Sequence, residues 1–303
     1  MVDFRPFHGI RYSESAGNIS SLICPPYDVI SDSERDSLLS KNVYNMVRLE
    51  LHEAAFPRDA QEYLDASFAY SKWLDNGILT YEQNPSFYLL RQCFSIGNGN
   101  ALSRFSLIGA LRLEELGKGV KPHENTGVHA KNDRMVLMES TSANFSPLFM
   151  LFSDKELEIK SIIRQVELCE PIISATLPEE VITAWRVDDT AITNAISSAL
   201  SKKNVYIADG HHRYETSLEY SKKHPGGFSQ YVMTALVSFD DPGLQLLPYN
   251  RLISGLNEDS LSSVRERLLE YFDVLEISIS DADLLTQLIE KEAEGKVVLA
   301  LID

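Results

Sequence analysis

The sequence predicts a mixed α/β fold, and three patterns carry that prediction. Two apolar segments, 86–96 and 104–113, flank a Gly-Asn-Gly-Asn turn, which is typical of an antiparallel hairpin. Apolar residues recur at helical spacing over 59–76. After residue 154, helical and strand patterns alternate along the chain. We therefore expect an N-terminal region with helices and a mostly antiparallel sheet, followed by an α/β region.

The N-terminal region contains two predicted helices. A Pro-Pro pair at 25–26 imposes an extended chain, after which Ser31 or Asp32 can cap a short helix over 34–39. The helix over 59–76 has an apolar face typical of packing against a core and ends at an Asn-Gly pair. The aromatic residues on that face are therefore interpreted as core residues.

The remaining elements follow from the same periodicities. The polar, glycine-containing segment 117–134 is predicted to be a loop. The later elements, in chain order, are an apolar stretch at 145–152, a helix at 154–166, a segment at 182–187, a helix at 190–201, a strand at 205–207, a helix at 214–224, a strand at 231–239, a helix at 260–271, a strand at 274–277, a helix at 282–294 and a strand at 297–302.

The length of 303 residues suggests about two domains. We expect an N-terminal α+β region over 1–116, a core region over 117–255 and a C-terminal α/β element over 256–303. The last predicted strand ends almost at the final residue, with no predicted element to cover it. The sequence therefore leads us to expect that the C-terminal element is truncated.

Composition and charge narrow the classes of function. The formal net charge is −16, with 44 acidic against 28 basic residues, which disfavours a nucleic-acid partner because binding DNA needs clustered cations. No apolar run is long enough for a membrane helix, and the N-terminus lacks the apolar core of a signal peptide. Three widely spaced cysteines do not suggest a disulfide framework or a cysteine-based metal site. We expect a cytoplasmic protein that binds small molecules, with no prediction of its oligomeric state.

The most informative motif is the junction between the strand at 205–207 and the next predicted helix. It contains Asp209, Gly210, His211, His212 and Arg213. A glycine permits close approach of a ligand, the first N–H groups of a helix favour anions, and a guanidinium matches phosphate or carboxylate oxygens. Two other interpretations remain open: a solvated turn with an Asp cap, and a metal site built on the two adjacent imidazoles.

A second group of titratable residues lies in the predicted loop before residue 134. Lys131 and Arg134 can neutralise phosphate charge, and Glu124 can accept a proton from a hydroxyl nucleophile. A solvated polar loop is the alternative. Four of the seven histidines fall in this loop or in the 209–213 motif, which favours one shared site.

Several ordered motifs identify a family resemblance. The chain resembles the conserved family catalogued as domain of unknown function 1015, and the segment around 207–220 resembles the signature strand and helix of the ParB/sulfiredoxin superfamily. The motifs that carry the resemblance are FRPF at 4–7, PPYDVI at 25–30, PHENT at 122–126, KNDR at 131–134, NFSPLF at 144–149, IADGHHRYET at 207–216 and DPGLQLLPYNRLI at 241–253. The resemblance implies a ParB/sulfiredoxin-like core, but membership alone names no reaction.

The motif itself distinguishes among the activities of that superfamily. Sulfiredoxins have a catalytic cysteine at the position of His211, so their chemistry is not expected here. ParB proteins have an arginine-rich version of the loop and bind DNA, whereas this chain is acidic. The free serine kinases have the most similar turn, which holds nucleotide phosphates and works with a separate glutamate as base.

The resemblance to these kinases implies a role for each residue. Asp209, Gly210, His211, His212 and Arg213 would hold phosphates, with Asp209 as the ligand of Mg²⁺. Asp209, His211 and His212 would also belong to the catalytic groups. By analogy, Glu124 would be the base, and Lys131 and Arg134 would add positive charge.

We therefore expect a phosphotransferase that uses ATP or ADP with Mg²⁺ and acts on a small hydroxylated metabolite such as serine. A nucleotide-binding regulatory switch without net catalysis is an alternative, and a phosphoester hydrolase is a third.

Overall fold

The computed structural model describes residues 1–51, 60–96, 101–124, 128–246, 255 and 257–273. The chain divides into two compact units, Met1–Leu246 and Leu247–Asp303. In the second unit, the structure describes one helix, Glu258–Tyr271, which begins at an N-cap formed by Asn257. The strands expected at 274–277 and 297–302 and the helix expected at 282–294 lie outside the described residues.

Strands and helices are both numbered in chain order. The strands are β1 (Phe4–Arg5), β2 (Ile10–Tyr12), β3 (Leu79–Tyr81), β4 (Phe87–Ser95), β5 (Ala101–Arg112), β6 (Val120–Lys121), β7 (Leu148–Phe152), β8 (Ile173–Thr176), β9 (Glu180–Val187), β10 (Val205–Asp209) and β11 (Tyr231–Ser238). The helices are α1 (Asp32–Lys41), α2 (Val47–Glu50), α3 (Ala60–Asp75), α4 (Val128–Thr141), α5 (Glu158–Val166), α6 (Thr190–Leu200), α7 (His211–Lys223) and α8 (Glu258–Tyr271).

Among the described residues, nine strands form one mixed sheet. The strand order across it is β6-β10-β7-β11-β5-β4-β9-β8, and β1 also pairs with β5. Two neighbouring pairs, β6 with β10 and β7 with β11, are parallel, and the other pairs are antiparallel. Strands β2 and β3 form a separate antiparallel pair. The expected mixed α/β fold class is thus confirmed.

The strongest sequence patterns correspond to observed elements. The hairpin predicted over 86–113 is the antiparallel pair β4 and β5. The amphipathic segment over 59–76 forms α3. Ser31 caps α1 by accepting a hydrogen bond from the Glu34 N–H, as its position before the helix suggested.

Two sequence predictions about the site region are wrong. The segment 117–134 is not a continuous loop, because β6 forms at its start and α4 begins at Val128. The helix expected at 214–224 begins three residues earlier, at His211, so the two adjacent histidines and Arg213 belong to its first turn. The sheet also takes strands from both of the expected regions, 1–116 and 117–255. It lies wholly within the first compact unit.

The main core lies along this sheet. Its fully buried side chains include Phe4, Phe87, Phe152, Leu148 and Tyr214. The rings of Phe4 and Phe87 stack with centroids 5.2 Å apart and thereby fasten the N-terminal strand to the sheet. None of the described helices is both long and apolar enough to cross a membrane.

Replacing Phe4 should test this attachment. Because the ring is 1% exposed, Phe4→Ala should leave a cavity and lower the free energy of unfolding by about 3–5 kcal/mol. Urea unfolding measures the change. Phe68→Ala, at a 70% exposed position on α3, is the control and should cost much less. Equal losses in the two variants would contradict the proposed anchoring role of Phe4.

Candidate functional site

Three segments of the chain meet at one edge of the sheet. Since β6 and β10 are parallel neighbours, the residues that follow them emerge at the same edge. β7 is antiparallel to β10, so it begins at this edge. Hydrogen bonds join the segment 122–124 to α7, and α7 to the segment 144–147. The sheet therefore brings together the two motifs for which the histidine distribution favoured one shared site.

Gly210 makes the sharp turn from β10 into α7. Its φ of +92° lies in the left-handed region, which disfavours other residues. A Cβ at this position would come within 2.9 Å of Leu148 Cδ2 and 3.2 Å of Arg213 Nε. The backbone conformation therefore favours glycine, and any larger residue would force the Leu148 side chain to shift. The turn directs the N-terminus of α7, where the helix dipole favours negative charge, to the edge of the sheet.

Asp209 and Arg213 form an ion pair across this turn. The Nη2–Oδ2 distance is 2.5 Å, and Arg213 Nη1 also donates to the Pro147 carbonyl at 2.7 Å. The Asp209 side chain is 56% exposed, whereas that of Arg213 is 12% exposed. The guanidinium is thus fixed by internal partners, and the carboxylate of Asp209 stays open to solvent.

Glu124 and His211 lie in direct contact. Oε1 of Glu124 is 3.2 Å from Nδ1 of His211, and the side chains are 50% and 2% exposed respectively. The other ring nitrogen, Nε2, accepts a hydrogen bond from the His123 backbone N–H at 3.2 Å. The imidazole rings of His123 and His211 meet edge to face, with centroids 4.4 Å apart. A buried imidazole therefore joins the segment after β6 to the first turn of α7.

The protonation of His211 reflects this environment. Burial lowers its pKa, and the nearby His123 and His212 rings act in the same direction. Glu124 and Asp209 act in the opposite direction, but the pKa remains below its usual value of 6.5. At neutral pH, the neutral imidazole is thus the favoured form of His211 in the folded protein.

Arg134 is held inside the protein by two carboxylates. Its guanidinium lies 2.7 Å from Glu50 Oε2 and 2.6 Å from Asp133 Oδ2, and its side chain is 7% exposed. The ring of Tyr27 covers it at 3.8 Å, and Ser146 donates a hydrogen bond to Glu50. The carboxylates raise the pKa of Arg134 despite the opposing effect of burial. Arg134 was expected in a loop, but it lies in α4 as a buried residue paired with two carboxylates.

A small cavity lies between α4 and α7. It measures about 40 Å³, which is room for about three water molecules. Both Arg134 and Arg213 line it, together with Glu50, Ser146 and Ser217. The cavity thus connects the buried ion pairs of α4 to the guanidinium beside Gly210.

The remaining expected site residues belong to α7 and α4. His212 is partly buried in the first turn of α7. Lys131 falls within α4, but its side chain lies outside the described part of the structure. Within the described residues, no three His, Cys, Asp or Glu side chains form a ready metal cluster, and this includes the neighbourhood of His211 and His212.

Sequence reasoning missed three residues that shape the site. His123 contacts His211 through its backbone and its ring, and Tyr27 covers Arg134. Both lie in motifs that were noted, but no spacing rule connected them with their partners. Glu50 gave no signal in the sequence, because a single carboxylate at the end of a four-residue helix predicts no partner 84 positions away.

Comparisons with known proteins give one finding. The model of the family described as protein of unknown function (DUF1015) matches residues 4–302. Searches of curated proteins and of solved structures find no match.

Removing the positive charge of Arg134 should destabilise the fold. Arg134→Met would leave Glu50 and Asp133 buried without their cation, which should cost about 3–5 kcal/mol of unfolding free energy. Arg164→Met, at an exposed position on α5, is the control and should change it by less than about 0.5 kcal/mol. Urea unfolding of both variants gives the comparison. A stable Arg134→Met protein would contradict a structural role for this ion cluster.

The Gly210→Ala substitution should lower the free energy of unfolding by more than backbone strain alone would. Gly117 is a matched control, because its φ is +94° and a Cβ there would meet nothing within 4 Å. We expect Gly117→Ala to lose about 1–3 kcal/mol from strain, and Gly210→Ala to lose more because of the contact with Leu148. Equal midpoints in urea for the two variants would show that packing around Gly210 is not restrictive.

Proposed function

The chain belongs to the DUF1015 family, and we propose that it is a Mg²⁺-dependent phosphotransferase that moves a phosphoryl group from ATP or ADP to a small hydroxylated metabolite such as serine. One observation carries the proposal: the half-exposed carboxylate of Glu124 lies against His211 in the first turn of α7. A base for a hydroxyl group and an anion-binding helix terminus thereby meet at one edge of the sheet. The likeness of the 209–213 turn to that of free serine kinases supports the same reaction.

Glu124 would serve as the base. Phosphoryl transfer depends on positioning and charge stabilisation, with one group that orients the nucleophile and accepts its proton. Glu124 meets the requirement for access, because its side chain is 50% exposed. The same carboxylate lies 3.2 Å from Nδ1 of His211, in the first turn of α7.

The N-terminus of α7 would receive the phosphates. Gly210 carries no side chain that could obstruct the approach, and it provides no side-chain cap to the first turn of the helix. The backbone N–H groups and the dipole of a 13-residue helix favour negative charge at this end. His212, in the same turn, would add a side chain beside the phosphates.

Asp209 would hold Mg²⁺. Its carboxylate is an oxygen donor of the type that Mg²⁺ prefers, it is more than half exposed, and its contact with Arg213 uses one oxygen. A single carboxylate fits this ion, since Mg²⁺ in such sites takes its other ligands from water and substrate phosphates. When bound, the ion would neutralise charge on the phosphates.

Arg213 would hold Asp209 in place and contribute positive charge beside the phosphates. Lys131, expected to add positive charge, keeps that role in the proposal. Arg134 does not, because Glu50 and Asp133 already compensate it. Arg134 would instead act indirectly, as a structural residue that lines the same cavity as Arg213.

The transfer step exchanges one P–O bond for another. The acceptor hydroxyl oxygen forms a bond to the terminal phosphorus of the nucleotide, and the bond between that phosphorus and its bridging oxygen breaks. The hydroxyl proton passes to the Glu124 carboxylate. The products are a phosphorylated metabolite and a nucleotide shorter by one phosphate, which leaves with the bridging oxygen and its electron pair.

Ligand binding is the first test. A thermal-shift panel of ATP, ADP, CTP and GTP, each with and without Mg²⁺, should show stabilisation by at least one nucleotide; a ligand at 100 times its Kd adds about 2.7 kcal/mol. Product analysis with serine then separates a kinase from a regulatory switch. Stabilisation without turnover on serine or other hydroxylated metabolites would favour the switch, and no stabilisation by any nucleotide would overturn the proposal.

Glu124→Gln should separate catalysis from binding. The amide cannot take the hydroxyl proton, so kcat should fall by about 10²–10⁴-fold while nucleotide stabilisation persists. Glu139→Gln, which removes a carboxylate from a surface ion pair with Lys223, is the control and should keep normal turnover. Unchanged kcat in Glu124→Gln would exclude this residue as the base.

A further inference from the structure

We propose that His211 is a positioning residue that aligns Glu124 through Nδ1 and fixes the backbone before it through Nε2. The resemblance to the serine kinases implied a catalytic role for His211. The inference rests on the proposed function for the role of Glu124 as a base; the contacts of His211 themselves do not depend on it.

The partners of the imidazole determine which nitrogen carries the proton. A neutral imidazole has one N–H donor and one acceptor nitrogen. The His123 backbone N–H can only donate, so Nε2 must be the acceptor at 3.2 Å. The proton therefore lies on Nδ1, the ring nitrogen that is 3.2 Å from Oε1 of Glu124. Only this tautomer satisfies both contacts at once.

His211 is unsuited to contact a substrate directly. Its side chain is 2% exposed, and both ring nitrogens already have protein partners. The ring of His123 packs edge to face against it, and Nε2 of His123 lies 3.4 Å from the Ala208 carbonyl oxygen. Contacts from two chain segments thus hold the orientation of the imidazole.

Glu124 is the group that needs such support. It lies on the segment after β6, a strand of two residues, and its side chain is half exposed. The two nitrogens of His211 hold this segment at two consecutive residues, one through a side chain and one through the backbone. A small displacement of a catalytic group can cost about 100-fold in rate.

Two amide substitutions can separate the two contacts. In His211→Asn the side-chain amide reaches the position of Nδ1 and keeps a donor for Glu124, whereas in His211→Gln it reaches the position of Nε2 and keeps an acceptor for the His123 N–H. We expect His211→Asn to retain kcat within about 10-fold and His211→Gln to lose about 100-fold, with smaller changes in the nucleotide KM. His224→Gln, at the exposed end of α7, is the control. Equal losses of kcat in both His211 variants would contradict the directional role of Nδ1.

A measurement that needs no activity tests the contacts themselves. Two-bond ¹H–¹⁵N correlation spectra of the wild-type protein, with His211 assigned by comparison with His211→Asn, should show a neutral ring protonated at Nδ1. A ring protonated at Nε2, or at both nitrogens at neutral pH, would overturn the inference. If no nucleotide is turned over, the proposed function fails, while the spectra still decide whether His211 holds the segment at 123–124.

Discussion

The parallel pairing of β6 with β10 is the constraint on which the rest of the site depends. Only two residue pairs form the ladder, Val120 with Val205 and Lys121 with Tyr206. Both valines are completely buried, and Glu114 accepts hydrogen bonds from the N–H groups of Gly119 and Val120. A short strand is thus fixed by burial and by a carboxylate behind it. If β6 ran the other way, Glu124 would leave the sheet at the opposite edge from His211.

A second constraint comes from the buried charge of Arg134. Its partners Glu50 and Asp133 lie on α2 and α4, and Tyr27 covers it from a short 3-10 turn over Tyr27–Val29. Desolvation offsets much of the Coulomb attraction in such a cluster, so its net contribution to stability is small compared with the cost of breaking it. The cluster also has a geometric effect, because the Arg134 guanidinium holds α2, α4 and the turn over Tyr27–Val29 together behind α7.

The sequence was informative where apolar periodicity reports burial directly. The α3 face and the β4–β5 hairpin were predicted for this reason, as was the strand before Asp209. The pattern failed at α4, because Asp133 and Arg134 are buried as an ion pair and resemble an exposed polar loop in the sequence. β6 has too few residues for any alternation to be visible. Because β6 was not predicted, the clustering of histidines could suggest that Glu124 and His211 are neighbours. The topology that brings them together could not be predicted.

The exposed negative charge at the site explains why a phosphate ligand would need to bring a bound cation with it. Among the described side chains at this edge, the carboxylates of Asp209 and Glu124 face solvent, while the one guanidinium, that of Arg213, is engaged by Asp209 and Pro147. The protein as a whole has a net charge of −16, which repels a free nucleotide at long range. Among the described groups, the attraction that remains is local and comes mainly from the N-terminus of α7, whose dipole acts within the first turn. Under the proposed function, Mg²⁺ bound with the nucleotide would reverse this balance, because the exposed Asp209 carboxylate would act as a ligand of the ion instead of repelling the phosphates. Under the proposed function, an acidic chain therefore binds an anion by recognising the metal and the phosphates together.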